Sequence, residues 1–122
     1  MSDLINRNKA LMHRIYEELW NQGRVETAVE IFDQPGGVER FVSQFLLAFA
    51  DLRHTVVDII AEDEQVAVRF TATGTHRAQW LQFAPTNRVI QYSGITWARI
   101  REGRIVEHQT WWDKAGLIEQ VR

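Results

Sequence analysis

No cysteine occurs among the 122 residues. That excludes a disulfide framework, a thiolate nucleophile and a Cys-ligated zinc site, and it fits a reducing compartment. Charge of one sign is also scarce: the formal net charge is -2, which removes the electrostatic basis for holding nucleic acid or an anionic membrane surface. No apolar run reaches the ~18 residues needed to span a bilayer, and no signal-peptide pattern opens the chain. The expectation is a soluble, cytoplasmic protein whose partner is a small molecule or another protein chain. The Gly-rich phosphate loop, the nucleophile elbow and the metalloprotease helix motif are all missing. Histidine and carboxylate spacings give no recognisable metal set, so a metal is not expected.

Aromatic residues are present in number, 11% of the chain with five tryptophans. In a core of this size tryptophans rarely vanish completely, so some should line a pocket or an interface. One domain spanning residues 1–122 is the simplest organisation for this length. From Ser2 to Asn21, Leu4, Ile5, Leu11, Met12, Ile15, Tyr16, Leu19 and Trp20 fall at the three-and-four spacing of one long helix, capped by Ser2 and ended by Gly23. A shorter helical pattern covers Val25 to Phe32. After the breakers Asp33-Gln34-Pro35-Gly36-Gly37, a third runs from Val38 to Phe49. Beyond Leu52 the period falls to 2, and strands are predicted at His54–Ile60, Val66–Thr75 and Arg88–Arg101, with a fourth after Gly103. His76 to Thr86 reads as a loop or short strand folding over an opening. Helices followed by hairpin-linked strands give an α+β fold, in which three N-terminal helices pack on the concave face of a curved, mainly antiparallel sheet. The open end of such a sheet leaves room for a pocket.

The final strand carries the chemistry that stands out. Alternation after Gly103 puts Ile105, Glu107, Gln109, Trp111 and Asp113 on one face. A carboxylate just past two tryptophans is placed for desolvation to raise its pKa and let it move protons. Equally, Asp113 before Lys114-Ala115-Gly116-Leu117 suits the N-cap of a short terminal helix. His76 continues the Val68, Phe70, Ala72 face and could point into the cavity, or it is a loop histidine bonded to backbone. His13 reads as solvated and His54, at a strand start, as structural. Tyr16, Trp20, Phe70, Trp80, Trp97 and Trp111 supply candidate cavity walls.

Several stretches, Leu19-Trp20-Asn21-Gln22-Gly23, Ala48-Phe49-Ala50-Asp51-Leu52, Val68 to His76 with its Gly74-Thr75-His76, Pro85-Thr86-Asn87-Arg88, Gly103-Arg104-Ile105-Val106-Glu107, and Asp113 followed by Gly116-Leu117-Ile118-Glu119-Gln120, resemble the SnoaL-like polyketide cyclases. Those belong to the nuclear transport factor 2-like superfamily of cone-shaped α+β barrels. The resemblance implies a homo-oligomer with one apolar pocket per subunit. In it an aspartate matching Asp113 acts as general acid/base in an aldol ring closure without metal or cofactor, and His76 matches the Gly-Thr-His histidine. Only Asp33–Gly37 joins the second and third helices, shorter than is usual in the family, which implies a more open or differently shaped pocket.

The leading expectation is therefore a cofactor-independent cyclase, isomerase or lyase acting on a small apolar carbonyl compound. Asp113 would move the proton, while His76 and Gln109 would orient substrate or stabilise oxyanion charge. An epoxide hydrolase on the same scaffold is an alternative, with Arg99 and Gln109 holding the water. A non-catalytic protein that binds a hydrophobic small molecule is another. A homodimer is expected through the convex sheet face, on which alternation places Val106, His108, Thr110 and Trp112.

Overall fold

A computed structural model describes residues 2–122; the side chain of Ser2, and with it the expected helix cap, lies outside what is described. The first amphipathic stretch does form one continuous helical rod, but in two windings. Helix α1 (Ser2–Arg14) passes without a break into a π-helical segment, Ile15–Asn21. The wider i to i+5 winding turns Ile15, Tyr16, Leu19 and Trp20 toward the interior, an arrangement that π segments often serve near functional sites. Gly23 closes the rod with φ +65°, a left-handed conformation that glycine adopts without steric cost. A single 3-10 turn (Val25–Thr27) leads into α2 (Ala28–Ile31). Helix α3 (Gly36–Ala48) starts inside the Gly-Pro cluster, two residues before the expected Val38, because Pro35 suits a helix start.

Four strands follow, β1 (Arg53–Glu62), β2 (Gln65–Thr75), β3 (Val89–Arg101) and β4 (Arg104–Trp112), and a terminal helix, α4 (Lys114–Val121). They form an open, all-antiparallel sheet in the order β1-β2-β3-β4. Glu102 and Gly103 both have positive φ, the mirror-image turn that matches strand twist and gives the tight β3–β4 hairpin. The sheet is curved and the helices cover its inner face, the cone-like α+β architecture expected from the sequence. On β2, Val66, Val68, Phe70 and Ala72 point inward and are buried; on β3, Ile90, Tyr92, Thr96, Ala98 and Ile100 do so. Among the described residues no helix is long and apolar enough to cross a membrane.

β4 departs from simple alternation. Ile100 pairs with Ile105, but Arg99 pairs with Glu107, so Val106 is an extra residue in the ladder. A bulge of this kind flips the facing of everything beyond it. His108, Thr110 and Trp112 therefore share the inner face with Ile105, opposite Ala98, Thr96 and Gly94. Glu107 and Trp111 turn outward. The expected assignment of faces on this strand is reversed past Val106: His108, Thr110 and Trp112 are not on the convex surface.

The stretch from His76 to Arg88 forms a loop pinned to the rest of the fold. The His76 and Asn87 amides donate to the carbonyls of Arg88 and His76 at 2.9 and 2.8 Å, and the Arg77 amide donates to Ala48 O at the end of α3.

Candidate functional site

Between the inner sheet face and the helices lies a cavity of about 440 Å³. Its walls come from the π segment (Ile15, Tyr16, Leu19, Trp20), from α3 (Val38, Phe41, Val42, Phe45), and from the inward positions of all four strands. Phe32, Gln34 and Gly37 line it as well, so the short connection between α2 and α3 borders the cavity. Ring follows ring around the wall: Trp20 meets Phe41 and Phe45 edge-on, and Trp112 packs against Phe45 and Tyr92. Among the described residues no Asp, Glu, Lys or Arg lines this space.

The polar groups inside are neutral and few. His54, only 4% exposed, sits at the start of β1, where its backbone exchanges two hydrogen bonds with the Asn21 side chain (2.7 and 2.9 Å). Those bonds join the strand to the last residue of the π segment. Nε2 of the His54 ring lies 3.3 Å from the Tyr92 hydroxyl, and Nδ1 has no partner. Burial lowers the His54 pKa from 6.5 to about 4, so the ring is neutral at physiological pH. Burial also pushes the Tyr92 hydroxyl up and raises Tyr16 to about 12, keeping both as phenols. The Tyr16 hydroxyl bonds Thr96 Oγ1 at 2.8 Å, and Thr96 Oγ1 lies 2.9 Å from Thr110 Oγ1. His108 stands on the cavity wall, its ring centroid 5.0 Å from that of Phe32, and loss of solvent there lowers its pKa. Gln109 also lines the wall.

The structure divides the residues singled out from the sequence. Tyr16, Trp20, Phe70 and Gln109 line the cavity. Asp113 does not: it is exposed, and its Oδ1 accepts a 2.9 Å hydrogen bond from the Gly116 amide as the N-cap of α4. With Trp111, which is 54% exposed, it borders a shallower hollow on the outer sheet face. The desolvating shell expected around its carboxylate is absent, because the bulge at Val106 turns that side of β4 outward.

His76 is wholly buried yet away from the cavity. Its Nδ1 faces Thr86 (amide at 3.2 Å, hydroxyl at 3.0 Å) and its ring stacks on Phe49. Trp80 is core behind the cavity wall, packed on Phe45, Phe49 and Trp112. Trp97 lies on the outer face, bonded to Gln65, with the Arg99 guanidinium 5.5 Å over its ring. Arg99 is further tied to Glu107 at 3.0 Å.

Sequence reasoning passed over Tyr92 and Thr96 and gave His54 a structural role. A signal was present: on β3 the inward series Ile90, Tyr92, Gly94, Thr96, Ala98, Ile100 sets two hydroxyls in an apolar row, and buried hydroxyls require partners.

Residues 10–121 match the profile of the SnoaL-like polyketide cyclases. Among solved structures, the candidate hydroxylase AclR from Streptomyces galilaeus superposes with a TM-score of 0.88 at 22% identity, covering 96% of each chain. The candidate polyketide cyclase IdmH from Streptomyces antibioticus gives 0.82 at 26% identity, over 93% of this chain and 96% of its own. A candidate polyketide cyclase from Acidithiobacillus ferrooxidans gives 0.86 at 20%, over 95% and 94%. No curated protein matches the sequence significantly.

Proposed function

The chain belongs to the SnoaL-like polyketide cyclase family, and from that premise we propose that it binds a small, largely apolar carbonyl compound in the helix-lined cavity and acts on it by proton transfer, as a cyclase or isomerase. The observation that carries this reading is the His54–Tyr92 pair in an apolar cavity free of charged side chains. His54 is the neutral group able to accept a proton α to a carbonyl. The imidazolium so formed is offset by the enolate it creates beside it, in apolar surroundings that screen the pair less than bulk water does. Phenol and threonine hydroxyls supply donors for the enolate oxygen. Asp113 leaves the acid/base role in this reading, since its carboxylate caps α4 outside the cavity. The epoxide-opening alternative needs a carboxylate beside a held water, and among the described residues no carboxylate lines the cavity.

The test is turnover of a panel of small apolar carbonyl compounds by wild type and His54→Phe. Loss of a general base lowers the rate by about 100-fold or more; an unchanged rate on any compound that is turned over removes His54 from the mechanism. Non-catalytic binding is the second reading, favoured by the low His54 pKa, which makes the ring a weak base. A compound that changes Trp20 and Trp112 fluorescence on binding and is recovered unchanged would support it.

We read residues 1–122 as one such domain acting as a homodimer. The outer sheet face exposes Val57, Ile60, Ile95 and Trp111, an apolar surface that soluble monomers usually avoid. Light scattering that shows a stable 14.3 kDa species at micromolar concentration would overturn the dimer. Trp111→Glu is expected to shift it toward monomer.

A further inference from the structure

A chain of three hydroxyls crosses the inner sheet face, and its proton count has a direction. Tyr16 and Thr96 are buried with their oxygens 2.8 Å apart; Thr96 and Thr110 oppose each other across β3 and β4 with oxygens 2.9 Å apart. Each hydroxyl has one proton to give. The phenol of Tyr16 is the more acidic group and the stronger donor, so its proton goes to Thr96 Oγ1. The Thr96–Thr110 contact admits either hydroxyl as donor; we take Thr96 as the donor, since its buried hydroxyl, already accepting from Tyr16, has no other acceptor among the described residues. The Thr110 proton is left without an acceptor among the described residues, and Thr110 is the exposed member of the chain, on the cavity wall. Hydroxyls aligned in this way polarise one another and strengthen the last donor.

We propose that Thr110 is the oxygen-recognising group of the cavity: its hydroxyl donates to the carbonyl oxygen of the ligand, and Tyr16 and Thr96 act behind it as positioning residues. This deepens the carbonyl-binding reading above and rests on it. The ring of Tyr16 also borders His54, with centroids 5.7 Å apart, so the donor chain and the proton acceptor occupy neighbouring parts of one wall. When a proton leaves the α carbon, charge grows on the oxygen that Thr110 meets, and the hydrogen bond tightens without any proton moving along the chain. The arrangement selects ligands bearing an acceptor oxygen over hydrocarbons of the same shape.

Two probes that share a ring frame test this, 9-fluorenone with a carbonyl and fluorene with a methylene in its place. Affinities are measured by equilibrium dialysis for wild type, Thr110→Val, which keeps shape and loses the hydroxyl, and Thr110→Ser, which keeps it. Wild type should prefer the ketone, Thr110→Val should cut that preference about five-fold, and Thr110→Ser should restore it. The infrared carbonyl stretch of bound 9-fluorenone should lie lower in wild type and Thr110→Ser than in Thr110→Val. Tyr16→Phe approaches from the far end of the chain and should move the stretch part of the way. An unchanged preference and stretch in Thr110→Val, with both probes bound, overturns the role of Thr110 and leaves the cavity reading standing. Failure of wild type to bind either probe overturns the cavity reading and this inference with it.

Discussion

The start of β1 and the loop after β2 each bury a histidine with one ring nitrogen unpartnered, His54 Nδ1 and His76 Nε2. Burial lowers the pKa of both. Their surroundings give them different work. His76 is enclosed by Thr86, Phe49 and loop backbone, and it does not line the cavity. His54 is held by Asn21 through its backbone alone, which leaves its ring beside Tyr92 on the wall of a cavity. Depth of burial and a shifted pKa are thus common to both, and what separates them is that only the His54 ring lines the cavity.

The sharpest way to break this comparison is His76→Ala. It deletes the bonds to Thr86 and the stack on Phe49, and should destabilise the fold by about 2–4 kcal/mol in urea unfolding while ligand affinity per folded molecule stays unchanged. A loss of affinity without loss of stability would give His76 a functional role. Titration sharpens the other side. Below pH 6.5 the unfolded chain takes up a proton that folded His54 refuses until about pH 4. Its contribution to stability is therefore complete above pH 6.5 and lost as pH falls toward 4, about 3 kcal/mol across the window. His76 and His108 add slope of the same sign. Unfolding midpoints between pH 7.5 and 4 should show a shallower decline in His54→Phe than in wild type; identical slopes would mean that the ring is already protonated or solvated in the fold. The smallest effect belongs to Asp113→Ala, which removes the cap of α4 and should cost about 1 kcal/mol. A fall in turnover beyond that loss of stability would return the carboxylate to the mechanism.

Much of the fold was legible because its signals are local. Apolar spacing located the helices, Gly103 the last hairpin, Gly23 the end of the first rod, and Asp113 before Lys114-Ala115-Gly116 the terminal cap. The candidate site was less legible because it depends on two irregularities of one residue each. Nothing in Arg104-Ile105-Val106-Glu107 marks Val106 as a bulge. Trp111 and Trp112 are both aromatic, so neither face of the strand looked more buried than the other. Likewise the apolar spacing of Ile15, Tyr16, Leu19 and Trp20 suits α winding as well as π winding, and the segment's bonds to β1 join residues far apart in the chain.

The π segment makes residue number at Ile15–Asn21 as consequential as residue type. Removing one residue there would let the rod rewind as ordinary α-helix, turning everything upstream by about 100° and drawing it in by about 1.5 Å. Met12, wholly buried, and Asn8, nearly so, would swing off the sheet. A substitution in this segment trades one wall contact for another, whereas a deletion misaligns two helical turns at once. Exchange of side chains at fixed spacing can therefore reshape the cavity wall, while the length of the rod has to stay constant for upstream residues such as Met12 and Asn8 to keep their place on the sheet.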